Sequence, residues 1–200
     1  NKMRFSAFGY LNDSNVLRDG GVLRARQKFV GPMSPVPGKA AQTNGLNEWD
    51  PNTGQFIPNP DSKDAKATTD AFGITVQDSG VMNYLNKFGQ ITPGTYKSKD
   101  PVGELYYAAL RYYRNLGNVP AWTDMTGANG TTKTTWIDGF PVITNWDDPI
   151  QYSCQRNFVL GIGDVYTHAD RNVPGNSVTA NEPAMPAEVT ADKDVNAVTA

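Results

Sequence analysis

The apolar run FVLGI at residues 158–162 limits the choice of architecture more than any other stretch of the chain. Phe158, Val159, Leu160 and Ile162 leave no polar face, and a short run of this kind fits a strand buried on both sides. Such strands belong to the middle of a parallel sheet with helices on both faces. The run ends on Asp164, with Tyr166, Thr167, His168 and Asp170 close behind. In open α/β sheets, ligands gather outside the carboxyl ends of the central strands.

The elements upstream support an α/β class. Residues 3–10 (MRFSAFGY) and 20–30 (GGVLRARQKFV) both read as strands, separated by a turn-rich stretch too short for a helical crossover. They are therefore expected to pair antiparallel at a sheet edge, with Arg24, Arg26 and Lys28 on the solvent side. In residues 74–89, Val81, Met82, Leu85 and Phe88 fall at helical spacing ahead of Gly89, with Asp78 or Ser79 as the cap. A second helix opens with Asp100 as cap and Pro101 in the first turn. Its apolar stripe is Leu105, Ala108, Ala109, Tyr112 and Leu116, and Gly117 ends it.

Between these parts, residues 31–73 carry six prolines and glycines at 31, 38, 45, 54 and 73, which reads as a long surface insertion. Residues 50–64 have a superficial likeness to a calcium loop, but the glycine comes one position early and Pro58 and Pro60 interrupt it. An ordinary turn-rich loop fits better. Residues 177–200, rich in Ala, Thr, Pro and acid, read as an extended linker or tail.

Charge and residue counts narrow the chemistry. With 18 basic and 20 acidic residues, no basic field exists to draw nucleic acid. No apolar run reaches the length of a membrane-spanning helix. The first residue is Asn1, which suggests a piece of a longer protein. His168 is the only histidine, so neither a two-histidine metal site nor a histidine-paired cysteine nucleophile can be assembled. Gly161 and Gly163 lie inside the apolar run rather than ahead of a helix, which gives dinucleotide binding no support. Cys154 has no partner for an internal disulfide, so it is either a buried thiol or paired outside these residues.

Two carboxylates remain as site candidates. Asp164 ends the buried run, and Asp100 opens the helix that precedes it, so both should stand near one sheet rim. Together they could offer hard oxygen ligands to Mg²⁺ or Ca²⁺. The plainer alternative is that Asp164 closes a turn and Asp100 caps its helix. The tryptophans Trp49, Trp122, Trp136 and Trp146 fall in loop-like stretches. Their flat apolar faces suit sugar rings, which makes a glycan-binding module the rival reading.

A strand ending in aspartate, preceded by a helix that starts in a proline turn, is similar to the von Willebrand factor A domain with its metal-ion-dependent adhesion site. KDPVGELYYAALRYYRNLG resembles that family's third-ligand loop and helix, and CQRNFVLGIGD its fourth strand and terminal ligand. More narrowly, MRFSAFGYLND, GGVLR, DPNTGQFIPNPD, SGVMNYLNKFG, DPVGELYYAALRYYRNLG and DPIQYSCQRNFVLGIGDVYTHADRNVPGN, in that order over residues 1–176, resemble the PilC/PilY family of type IV pilus-tip adhesins.

That resemblance implies a von Willebrand factor A-like (Rossmann-like) α/β region over 1–176, with the insertion at about 31–73. It implies a non-enzymatic, exported protein of the pilus tip or outer surface of a Gram-negative bacterium. Such a protein serves pilus assembly and attachment, and a divalent cation at Asp164 and Asp100 would follow. Expected partners are other pilus components such as minor pilins, a host or abiotic surface, and the rest of its own chain, namely an upstream strand and a downstream propeller. Two departures stand out. The family's D-x-S-x-S motif is absent, so its strand is expected upstream of Asn1 or not at all, and Asp100 stands where the family has threonine.

Overall fold

The computed structural model describes residues 3–13, 20–92, 97, 100–163 and 173. Its centre is an antiparallel pair, β1 (Phe5–Gly9) and β2 (Val22–Lys28), as the alternation in both stretches predicts. Ala7 faces Ala25, Phe8 faces Leu23 and Gly9 faces Val22, with register shifts on either side of Ala7. On the far side of β2, Ile143 donates its N–H to the Leu23 carbonyl at 3.1 Å and extends the pairing by one bridge. Gly9 has no space for a side chain, because a Cβ there would lie 1.7 Å from the Tyr84 hydroxyl.

Strand β2 is not the solvent-facing edge that its basic residues suggest. Val22, Leu23, Arg24 and Ala25 are all buried, because helices and loops cover both faces of the pair. Arg24, only 1 % exposed, is accommodated by carbonyls. Its guanidinium donates to Ile137 O and Pro141 O at 3.2 Å each and to Tyr10 O, and lies 5.8 Å from the Tyr84 ring centroid. A buried cation needs acceptors of this kind, although the Arg24 Nε has none.

The stretch read as a surface insertion lies mostly at the surface over residues 31–60, yet holds regular elements. It contains a small hairpin, β3 (Met33–Ser34) with β4 (Gln42–Thr43), and a helix, α1 (Ser62–Phe72). Asp61 caps α1 by accepting the Asp64 N–H, and Gly73, at φ 70°, closes it in the left-handed region. Few large apolar residues mark α1 in the sequence. It is held by Ala65 in the core and by Thr68, whose hydroxyl accepts the Val142 N–H at 3.0 Å. Residues 50–55 form an ordinary turn, in which the Asp50 carboxylate accepts from Asn52 N at 2.7 Å and Thr53 N at 3.2 Å.

Helix α2 (Val81–Lys87) is shorter than expected and opens at Gly80. Neither Asp78 nor Ser79 caps it. The buried carboxylate of Glu48 does so across 33 residues, accepting Val81 N at 2.9 Å and Met82 N at 2.6 Å. Val81 and Tyr84 face the core, while Leu85 and Phe88 are exposed. Helix α3 (Val102–Tyr113) follows the expected stripe, burying Ala108, Ala109 and Tyr112 together with Glu104. The Tyr112 hydroxyl accepts Gln27 N–H of β2 at 3.1 Å. Two short helices complete the set: α4 (Pro120–Thr123) and α5 (Gly130–Ile137), the latter capped by Asn129.

The core lies on both sides of β1 and β2. One cluster joins Leu11, Val22, Ala65, Ile74, Val76, Met125, Ile137 and Val142. A second gathers Ala7, Ala25, Val30, Val81, Tyr84 and Phe140. Two smaller ones lie under α3: Leu23, Tyr112 and Ile143, and Ala108, Val119 and Trp122.

The expected central parallel strand is not formed among the described residues. Residues 157–163 carry no strand, and all seven are exposed. The named pairings among the described residues are antiparallel. The apolar pattern states what a strand would bury, whereas a strand also needs neighbours to pair with, and the described part of the chain supplies none. The von Willebrand factor A-like sheet therefore rests on the resemblance alone.

Candidate interaction surface

Asp164 and His168 lie outside the described residues. Asp100 is half-buried ahead of α3, where its carbonyl accepts Val102 N–H at 2.9 Å. Pro101, rather than Asp100, stands at the cap position of α3. Among the described residues, no three His, Cys, Asp or Glu side chains converge as a metal site would require. Asp100 alone is too few oxygens for Mg²⁺ or Ca²⁺.

The other carboxylates serve the fold. Asp61 pairs with Lys28 at 2.6 Å, Asp64 with Arg26 at 2.8 Å and Asp78 with Lys87 at 2.6 Å. Asp138, left-handed at φ 48°, fastens the chain after α2 by accepting from Gly89 N at 2.5 Å, Thr92 N at 2.8 Å and the Thr92 hydroxyl at 2.7 Å. Burial pushes the Glu48 carboxyl above its ordinary range, against the two N–H donors of α2 and the charge of Lys28. Burial likewise raises Tyr112 to about 12, so it stays neutral and hydrogen-bonded at physiological pH.

The tryptophans pack into or against the core. Trp122 is 3 % exposed, and Trp49, Trp136 and Trp146 pack against the clusters as partly buried residues. Trp146 donates its indole N–H to Ile143 O at 2.7 Å and meets Phe8 and Tyr112 edge-on. Cys154 is exposed and free, so the buried-thiol reading fails.

The surface that does stand out is apolar. Phe158 is 80 % exposed, Leu160 84 % and Ile162 74 %, with Val159 beside them. Each such side chain left in water forgoes about 1.5–3 kcal/mol of burial. The segment is anchored at its start. Gln155 accepts from Arg4, just ahead of β1, and donates to Pro149 O at 3.1 Å. The Tyr113 hydroxyl at the end of α3 lies 3.5 Å from Phe158 O. Residues 155–158 therefore pass the start of β1, whose outer edge has no strand partner among the described residues. Tyr106 and Leu110, four residues apart on α3, are exposed as well. The sequence marked residues 157–163 as strand-like, but their exposure could only be seen in three dimensions.

Comparison with known proteins gives this surface a context. A family model described as the second domain of the PilY1 homolog matches residues 10–200. The chain is also 52 % identical over 198 residues to the type IV pilus biogenesis factor PilY1 homolog of Xylella fastidiosa strain Temecula1, covering 98 % of this chain. The chain belongs to the PilY1 homolog family. It spans 16 % of that relative's length. No solved structure matches it. Among the described residues, no helix is long and apolar enough to cross a membrane.

Proposed function

We propose that this chain is a non-enzymatic module of a type IV pilus protein, exported to the cell surface or pilus tip, where it serves pilus assembly and attachment. The observation that carries the reading is the 52 % identity, sustained over nearly the whole chain, to a protein named for type IV pilus biogenesis. In this reading, minor pilins and a host or abiotic surface are met by loops near Asp164. A Mg²⁺ or Ca²⁺ ion there would draw on Asp164, with Asp100 as a second oxygen donor, and complete its shell on an acidic group of the partner. Asp61, Asp64, Asp78 and Glu48, committed to Lys28, Arg26, Lys87 and the start of α2, are in keeping with a scaffold.

Two measurements test this. In-frame removal of these residues from the full-length protein is expected to abolish or sharply reduce surface pili and attachment, and normal piliation with normal attachment would end the proposal. Calorimetric titration of Mg²⁺ and Ca²⁺ into the full-length protein and its Asp164→Ala variant is expected to show a saturable site lost in the variant. Absence of binding in both makes Asp164 a turn residue and removes the cation from the mechanism.

A further inference from the structure

We propose that Lys28 and Asp61 become joined by an isopeptide bond, formed by the chain itself with Glu48 as the neighbouring acid, so that the end of β2 is tied covalently to the start of α1. The inference is independent of the pilus reading and of any cation. The Lys28 Nζ stands 2.6 Å from Asp61 Oδ2, and the two side chains are 11 % and 9 % exposed, against 34 % for Lys87 in its pair with Asp78. Asp61 is held in place: its own N–H donates to the Ser79 hydroxyl at 2.8 Å, and its Oδ1 accepts the Asp64 N–H at 3.3 Å. Glu48 is fully buried against Gly80, as is the ring of Pro60, the residue before Asp61. Its carboxyl feels the charges of both Lys28 and Asp61. An amine, a carboxyl and a second carboxyl thus meet from three separate segments of the chain.

Enclosure favours the neutral form of such a pair, because two charges taken from water lose their hydration. A proton passed from Nζ to Oδ2 leaves an amine facing a carboxylic acid, already placed for attack. Nζ then bonds to Cγ, and negative charge gathers on Oδ1, where the Asp64 N–H at the start of α1 receives it. Burial holds the Glu48 carboxyl protonated above its ordinary range. Its proton goes to Oδ2, the Cγ–Oδ2 bond breaks and water departs, and Glu48 recovers a proton from the nitrogen. Amine and acid become amide and water, so the balance calls for no oxidant and no activated carrier. The bond spans 33 residues, and a pull that separates β2 from α1 would then load an amide in place of an ion pair.

The test is peptide mapping of the full-length protein, denatured, digested with trypsin and read by mass spectrometry. The expected product is a branched pair of peptides that begin at Gln27 and Ala40, uncut after Lys28 and lighter by one water than their sum. The joined pair has the mass of the unbroken stretch 27–63, so the second amino terminus at Ala40 in the fragment spectra is what identifies it. Cleavage after Lys87, whose pair with Asp78 is more open, serves as the control. Lys28→Arg keeps the charge contact and is expected to give no branched product. Glu48→Gln, sampled over time after cell-free synthesis, is expected to gain the bond at least about a hundredfold more slowly than the wild type, in protein that keeps a cooperative unfolding transition. Linear peptides alone from the wild type, cut after Lys28, overturn the proposal and leave an ion pair. So does a branched product that forms at the wild-type rate in Glu48→Gln. The wild-type digest decides the matter even if Glu48→Gln fails to fold, and it depends on neither pili nor metal.

Discussion

Glu48 shows how one residue can tie a loop to a helix. Its carboxylate is fully buried and accepts both leading N–H groups of α2, while Pro60 and Gly80 close around it. A Cβ on Gly80 would meet that carboxylate at 2.9 Å, and the φ of 92° also favours glycine there. Because burial raises the folded pKa above the ordinary 4.5, the folded state holds the Glu48 proton more tightly than the unfolded chain does. That contribution to stability is complete below the ordinary value and is lost as pH rises through the raised one. Glu48→Gln removes this titration and one of the two acceptors. The variant is expected to be less stable by about 1–3 kcal/mol, with a flatter stability profile than the wild type as pH rises above the ordinary 4.5. Urea midpoints across that range check it, and an unchanged slope would place the titration on another group. None of this could be read from the sequence, because an isolated glutamate in a Pro- and Gly-rich stretch gives no sign of a helix end 33 residues away.

Among the elements, those whose stability is local were legible and those stabilised by distant contacts were not. Helix α3 was expected from its proline, stripe and closing glycine, and it forms over Val102–Tyr113 with Ala108, Ala109 and Tyr112 inward. The β1 and β2 pairing was legible for the same reason, since alternation and a short connection suffice. Helix α1 was hidden by its composition: Ser62, Lys63, Asp64, Lys66, Thr68, Thr69 and Asp70 give it a polar look, and its anchors lie elsewhere in the chain. One anchor is the Asp61 carboxylate, which accepts the Asp64 N–H and holds Lys28 of β2 in a pair with side chains only 9 % and 11 % exposed. Asp61→Ala removes the cap and leaves the ammonium buried without its partner, which should cost about 3–5 kcal/mol. Lys66→Ala, which breaks only the exposed pair with Asp70 on the same helix, should change stability by less than about 1 kcal/mol. Equal losses in the two variants would mean that α1 is not docked through Asp61.

At the scale of the whole molecule, the tryptophans distinguish a folded scaffold from a sugar-binding face. Trp136 packs on the cluster beside α1 and α5, Trp49 on the one beside α2, Trp146 on the two beneath α3, and Trp122 sits inside the last. A tryptophan's sequence position cannot tell a plug from a platform: Trp122 and Trp136 lie in α4 and α5, while Trp49 and Trp146 lie outside the named elements. What decides it is the direction of the indole, which depends on the packing of distant segments. The same holds for residues 157–163, where pattern predicted burial and the described chain leaves the side chains outside. Trp122→Ala, at the most buried of the four sites, is expected to lose about 3–5 kcal/mol, and Trp146→Ala should follow because it also gives up the bond to Ile143 and the contacts with Phe8 and Tyr112. Denaturant unfolding of the two variants measures this, and a glycan array probed with whatever folded fraction remains separates the readings. Full stability in both variants together with loss of sugar binding would restore the glycan module. A large loss of stability, without sugar-specific binding in the wild type, leaves the tryptophans as the interior of a scaffold.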